Sequence, residues 1–382
     1  MTLSKKMMAA VAGVSMLAGA GVAHAETTLK VAVGFGPGSA AAYALENFAK
    51  NVEATSDLKM KVFTLSLLNL KETPPGLRDG IADVGFVLPP YYPAEYAEIN
   101  LAANLSMLAT VGANSTSPGM AMGAAMTEYV FLHCPECLTE QKKQNQVYLG
   151  TGVSLDYILQ CVTPIRTMDD LKGKKYRSGA ANFGRWAEHV GGTKVSVPGN
   201  DIYEALAQGV VDCAMISATE LSNLQLFDVV KYITTNIPGG VFAGVATNSV
   251  NRDVWQDLTP AQREAIFKAS ARSSADVTWK YYADGVRNLK QSPEKGIEII
   301  KPTADMIKMS EDFVKSDLAV ISKQFTDDYG LSNVDAKVAK ISELIEKYKK
   351  LTVGMEDDAE ALAQLYWDEI MSKVDLSTYA LD

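Results

Sequence analysis

Two stretches of this chain repeat one local plan, and that repetition limits the fold more than any other feature. Gly80-Ile81-Ala82-Asp83-Val84-Gly85 has the same shape as Gly209-Val210-Val211-Asp212-Cys213-Ala214. Each follows a helical stretch, places glycine at its C-terminal end and runs through an aspartate into an apolar segment. Glycine suits the left-handed residue that stops a helix. Aspartate can hold loose backbone N–H groups in the turn that follows. A chain of 382 residues also exceeds what one hydrophobic core usually organises. The paired units therefore predict two α/β lobes built alike.

The rest of the chain fits that plan. Thr28 to Val33 alternates and is β-rich, so it reads as a first strand. The turn Gly34-Phe35-Gly36-Pro37-Gly38-Ser39 ends on a candidate helix cap, Ser39. It lacks the Lys-Ser/Thr ending of a phosphate loop and the spacing of a dinucleotide loop, which argues against nucleotide binding. Further strands are expected at 59–65, 84–88, 174–177, 194–197 and 213–217, with helices between them. Segment 148–153 reads as a strand passing between the lobes, and 239–246 as one returning. Thr167 should cap a short helix. From Thr259 the chain turns helical. Thr259-Pro260-Ala261-Gln262 carries a cap, a first-turn proline and a capping-box glutamine, which opens a helix over 260–289. Helices over 304–329, 333–351 and 357–373 complete a C-terminal layer. The mixed acids and bases of 340–350 read as a solvated face.

Residues 1–25 stand apart. Lys5 and Lys6 precede an apolar run from Met7 to about Val22, and Ala23-His24-Ala25 is a small-x-small cleavage site. This is the order of a secretory signal peptide, and the run is short for a bilayer span of ~20 residues. The mature protein is expected in the periplasm. Formal charge is −9 and grows more negative once Lys5 and Lys6 leave. An acidic surface argues against nucleic acid, whose phosphates call for Lys/Arg clusters. One buried arginine could still hold an anion locally.

An exported chain with four cysteines suggests disulfides. Three pairings exist, and Cys134–Cys137 with Cys161–Cys213 is preferred. The C-P-E-C unit formed by Cys134 and Cys137 lacks the surroundings of a thioredoxin-like redox site. A metal there would need more ligands than nearby His133 adds, so neither metal nor cofactor is expected. Of three histidines, His189 has no nucleophile motif beside it, and no G-x-S-x-G occurs, which argues against a hydrolase.

The richest segment is 164–217. It reads Pro164-Ile165, then Asp170-Leu171-Lys172-Gly173-Lys174-Lys175-Tyr176-Arg177, then Gly191-Gly192 and Val195-Ser196-Val197-Pro198, and closes on Tyr203-Glu204-Ala205-Leu206-Ala207-Gln208-Gly209-Val210-Val211-Asp212. Downstream comes Trp255-Gln256-Asp257-Leu258-Thr259-Pro260-Ala261-Gln262-Arg263. This order resembles the DctP-type solute receptors of TRAP transporters, weakly over most of the mature chain and well over 157–263. The resemblance implies a two-lobed, type II-like periplasmic binding protein with a long bridging helix. Lobe I would comprise 26–152 with 241–285, and lobe II 153–240 with part of 286–382. It also implies an arginine at the position of Arg177 that pairs with a ligand carboxylate, and delivery of a small organic acid to small and large integral membrane subunits. Paired guanidinium donors match a carboxylate bidentately.

Two departures shape the expected ligand. Where the family often has a second arginine, twenty positions before Arg177, this chain has Tyr157. Where an asparagine often follows the V-D unit, it has Ile216, with Ser217 next. The pocket should be less polar and suit a monocarboxylate with an apolar or aromatic body. Further candidate wall residues are Phe35 in the first strand–helix loop, Tyr91 and Tyr92 beyond a strand end, and Asn182 and Trp186 on the helix after Arg177. The competing readings are the receptor of an ABC importer, the ligand-binding module of a sensor, or a periplasmic thiol–disulfide protein.

Overall fold

The structure, a computed structural model, describes residues 27–113 and 115–382. The proposed signal peptide lies outside the described residues. In chain order the strands are β1 (Thr28–Val33), β2 (Lys59–Thr64), β3 (Val84–Val87), β4 (Gln146–Val147), β5 (Thr151–Gly152), β6 (Asp156–Cys161), β7 (Lys175–Ser178), β8 (Thr193–Ser196), β9 (Cys213–Ser217), β10 (Tyr232–Val241), β11 (Val245–Asn251) and β12 (Glu298–Ile300). Among the described residues they form two six-stranded sheets. One has the order β2-β1-β3-β11-β4, with β5 also on β11; the other has β12-β10-β6-β9-β7-β8.

The repeated sequence units occupy equivalent places. β1 lies parallel between β2 and β3, and β7 lies parallel between β8 and β9. Beyond each trio one antiparallel strand follows, β11 against β3 and β6 against β9. The two aspartates do the same work. Asp83 Oδ2 accepts from Lys30 N at 2.7 Å, and Asp212 Oδ2 accepts from Lys175 N at 2.7 Å. Each unit's glycine sits at positive φ, Gly80 at 75° and Gly209 at 68°, where a side chain would strain the backbone.

The helix Pro260–Gln291 braces both sheets' layers, and its start carries the expected capping box. Thr259 N donates to Gln262 Oε1 at 2.9 Å, and Gln262 N donates back to Thr259 Oγ1 at 3.3 Å. Its first half packs on the lobe I helix Ala40–Thr55 and its last turns on Glu220–Asn223. Helix Val334–Leu351 covers Pro118–Glu128, and Ala359–Glu369 covers the long helix. Both expected disulfides are present, and Cys161 faces Cys213 across the β6–β9 ladder.

Four expectations are corrected. Segment 148–153 is not one strand: β4 ends before it at Val147, and it holds only the two-residue β5. Residues 239–246 hold the end of β10 in the second sheet and the start of β11 in the first, so the chain crosses between sheets there. Thr167 caps no helix; Asp170 Oδ2 instead accepts from Arg166 N and Thr167 N, both at 2.9 Å, and closes a turn. The 340–350 stretch is not wholly solvated. Lys349 is buried and donates to Val111 O at 2.6 Å, and Lys347 reaches Glu128 at 2.7 Å.

Candidate functional site

Between the two sheets lies a cavity of about 40 Å³, counted as space open to the centre of a water molecule. Lobe I contributes mainly apolar groups, among them Phe35, Phe86, Leu88 and Val245. Phe35 is held edge-on against Phe86 at 6.0 Å between centroids. The second sheet contributes Arg177 from β7, Tyr157 from β6, Ile216 from β9 and Glu220 just beyond β9. Tyr281 closes the wall from the long helix.

Arg177 is the dominant charge. It is only 2% exposed. Its Nε donates to Val197 O at 2.9 Å and Nη2 to the Tyr91 hydroxyl at 3.3 Å. These bonds use two of the five N–H donors of a guanidinium. Among the described residues it has no carboxylate within ion-pair distance. Burying a cation without a counter-ion is costly, so the arrangement calls for an anion. Gly179 explains how the head group fits: a Cβ there would stand 2.8 Å from Arg177 Nη1 and 3.1 Å from Cζ.

Tyr91 joins the lobes. Its oxygen accepts from Arg177 and from Gly199 N, the latter at 2.9 Å. Its own proton stays available to a ligand. Other bonds across the cleft are Asn200 Nδ2 to Gly34 O at 3.1 Å and Leu70 N to Asn200 Oδ1 at 3.2 Å. The cleft is therefore shut. Tyr157 stacks between Phe183 at 4.4 Å and Phe242 at 6.1 Å. Burial pushes its hydroxyl well above the usual tyrosine range, so it stays protonated.

Of the residues singled out from sequence, Arg177, Tyr157, Phe35 and Tyr91 line this cavity. Four do not. The Tyr92 hydroxyl donates outward to Lys71 O at 2.6 Å. Asn182 Nδ2 donates to Ser106 Oγ at 3.1 Å, and Trp186 Nε1 to Ser310 Oγ at 2.9 Å. These two stand four apart on the buried face of one helix, which points at the core rather than the cleft. Ser217 ends β9 with its hydroxyl buried beside the cavity's wall and unpartnered. Ile216 takes the place in the wall instead. Sequence reasoning missed Glu220 and Tyr281. Glu220 follows the C-terminus of β9 as Tyr91 follows that of β3, and the strand-end rule already applied to Tyr91 would have found it.

A larger groove, about 870 Å³, opens beside helix Ala304–Asp327. Its arginine is already satisfied. Arg185 holds Asp317 through two bonds at 2.6 and 2.8 Å, and also Gln324 and Asn104 at 3.0 Å each. Among the described residues that groove offers no free buried charge, whereas the small cavity does. Among the described residues no helix is long and apolar enough to cross a membrane.

Two similar α/β sheets closed over a small cavity, braced by one long helix, define a two-lobed solute receptor. The model of "Bacterial extracellular solute-binding protein, family 7", the DctP family, matches residues 35–324, and the chain belongs to that family. A solute-binding protein of Albidiferax ferrireducens is 25% identical over 170 residues, 44% of this chain and 48% of that one. The match thus spans about half of that curated relative. An extracytoplasmic solute receptor of Bordetella pertussis that binds pyroglutamic acid is 20% identical, with TM-score 0.69 over 84% of this chain and 100% of the other. A TRAP solute binding protein from a marine metagenome, specific for aromatic acid ligands and solved with metahydroxyphenylacetate, is 19% identical, with TM-score 0.71 over 85% and 99%.

Proposed function

We propose that this receptor binds a small monocarboxylic acid in the inter-lobe cavity, with Arg177 pairing to the carboxylate, and hands it in the periplasm to TRAP membrane subunits. The observation that carries the reading is a buried guanidinium without an ion-pair partner among the described residues, facing a cavity closed by both lobes. The small volume and apolar wall favour a compact acid over a dicarboxylate or a sugar acid. Acids of the kind held by the relatives, pyroglutamate and metahydroxyphenylacetate, fit this description.

Closure supplies the mechanism. An open form leaves Arg177 bonded to Val197 O of its own lobe. Shutting the cleft brings Tyr91 onto Arg177 and Gly199. A carboxylate that neutralises Arg177 stabilises the shut form and shifts the population toward it. The membrane subunits would then read the shut surface. Calorimetric titration of the mature protein with monocarboxylates tests the reading. Arg177→Ala should weaken binding more than tenfold, because each hydrogen bond to a charged partner contributes about 1.5–3 kcal/mol. Unchanged affinity would contradict it.

A further inference from the structure

The cavity holds a second ionisable group that carboxylate binding does not use. Glu220 is 5% exposed and opens the short helix Glu220–Asn223. Its Oε1 accepts from the Tyr281 hydroxyl at 2.9 Å. Its Oε2 is buried and, among the described residues, makes no hydrogen bond of normal geometry; the Asn223 amide, likewise left without one, pulls on the carboxylate but leaves it room for a further donor. The segment is held firmly. Thr219 Oγ1 donates to Tyr281 O at 2.6 Å, and Asn288 Nδ2 donates to Ala218 O and Thr219 O at 3.1 and 3.2 Å. Glu220 and Arg177 line the same cavity and form no ion pair with each other. A buried acceptor left open demands a partner as much as a buried cation does.

We propose that Glu220 is a specificity-determining residue whose free Oε2 accepts a hydrogen bond from an N–H or O–H on the ligand's body. The preferred ligands are then monocarboxylic acids bearing one such donor. This deepens the reading of the cavity as a carboxylate site and rests on it. A ligand that bridges Arg177 and Glu220 satisfies both buried groups at once. An acid without the donor satisfies only the first.

The protonation of Glu220 follows from its neighbours. Burial pushes its carboxyl up to about 7, against the pull of the Tyr281 hydroxyl, the Asn223 amide and the Arg177 charge. Tyr91 and Tyr157 face the same space, and burial holds the Tyr157 hydroxyl well above the usual tyrosine range. A donor on the ligand favours the ionised carboxylate. The advantage of a donor-bearing acid over its donor-free twin should therefore grow as pH rises from about 6 to about 8. Any repulsion between the ligand's own carboxylate and Glu220 is common to both twins and cancels in the ratio.

The test uses ligand-stripped mature protein and two matched pairs: 3-hydroxyphenylacetate with phenylacetate, and pyroglutamate with cyclopentanecarboxylate. Calorimetry should show that wild type prefers at least one donor-bearing acid by about tenfold, the scale of one charge-assisted hydrogen bond. Glu220→Gln should bring that ratio toward one and flatten its pH dependence. An undiminished ratio in Glu220→Gln, or no preference in wild type, overturns the role of Glu220 and leaves the carboxylate reading standing. Failure of all four acids to bind wild type overturns both.

Discussion

The two lobes share a frame and differ in what they hang on it. β2-β1-β3 and β8-β7-β9 are the same parallel trio, and Asp83 and Asp212 tie the same backbone amide at the same 2.7 Å. The cavity contributions diverge at equivalent places. After β1 comes a glycine-rich turn bearing Phe35; in β7 itself stands Arg177. Beyond β3 comes Tyr91; beyond β9 comes Glu220. Lobe I thus offers apolar cover and the hydroxyl of Tyr91, the long helix that of Tyr281, whereas lobe II holds both charges. A repeated scaffold keeps geometry fixed while loops change the chemistry, and here both buried charges of the cavity sit on one side of the cleft.

If this division is correct, the pH sensitivity of the cavity belongs to lobe II. A carboxyl raised in the folded protein from 4.5 to about 7 adds stability that is full below its unfolded pKa and lost as pH rises through the folded one. The empty protein should lose on the order of 3 kcal/mol between about pH 4.5 and pH 7 through Glu220, at ~1.4 kcal/mol per unit. Denaturant unfolding across that range checks this, and Glu220→Gln should lower the slope by that share, leaving the part carried by Glu140, whose carboxyl burial also pushes up to about 7. An equal slope in the variant would break the comparison.

The paired aspartates sharpen it. Asp83→Ala and Asp212→Ala should each cost about 1–3 kcal/mol, since each leaves a neighbouring strand's backbone donor, Lys30 N or Lys175 N, without its partner. Only Asp212→Ala should also weaken ligand binding, because Asp212 anchors the start of the strand that carries Arg177. Equal binding losses in both would show that the ionic groups do not sit on one lobe alone. Gly179→Ala comes next. The added Cβ must push aside the guanidinium of Arg177, so affinity should fall about tenfold with little change in melting temperature. Tyr91→Phe has the smallest expected effect. It removes the lobe I oxygen from Arg177 and Gly199, and a loss of about fivefold in affinity should accompany a wider opening by small-angle scattering.

The frame was legible because its signals are local. Gly80, Gly209, Asp83 and Asp212 mark turns that any strand–helix repeat needs, and Thr259 with Gln262 writes a helix start into four residues. Strand β6 was not legible. Its residues Tyr157 to Cys161 are buried on both faces, so the alternation that betrays a strand is missing. Arg177 stood out through a motif. Glu220 did not, because an acid in the first turn of a helix reads as an ordinary complement to the helix dipole. Its partner Tyr281 arrives from the long helix, and no local pattern brings positions 220 and 281 together. Asn182 and Trp186 misled for the converse reason: nearness to Arg177 in sequence says nothing about which helix face turns inward.

The most direct test of the central claim is a crystal structure of the mature protein with a bound monocarboxylate that calorimetry shows to be tight. The account predicts the carboxylate within hydrogen-bond distance of the Arg177 guanidinium, between the lobes, with Tyr91 closed over it. A ligand seated instead in the groove beside helix Ala304–Asp327, or one that turns its carboxylate away from Arg177, would contradict it.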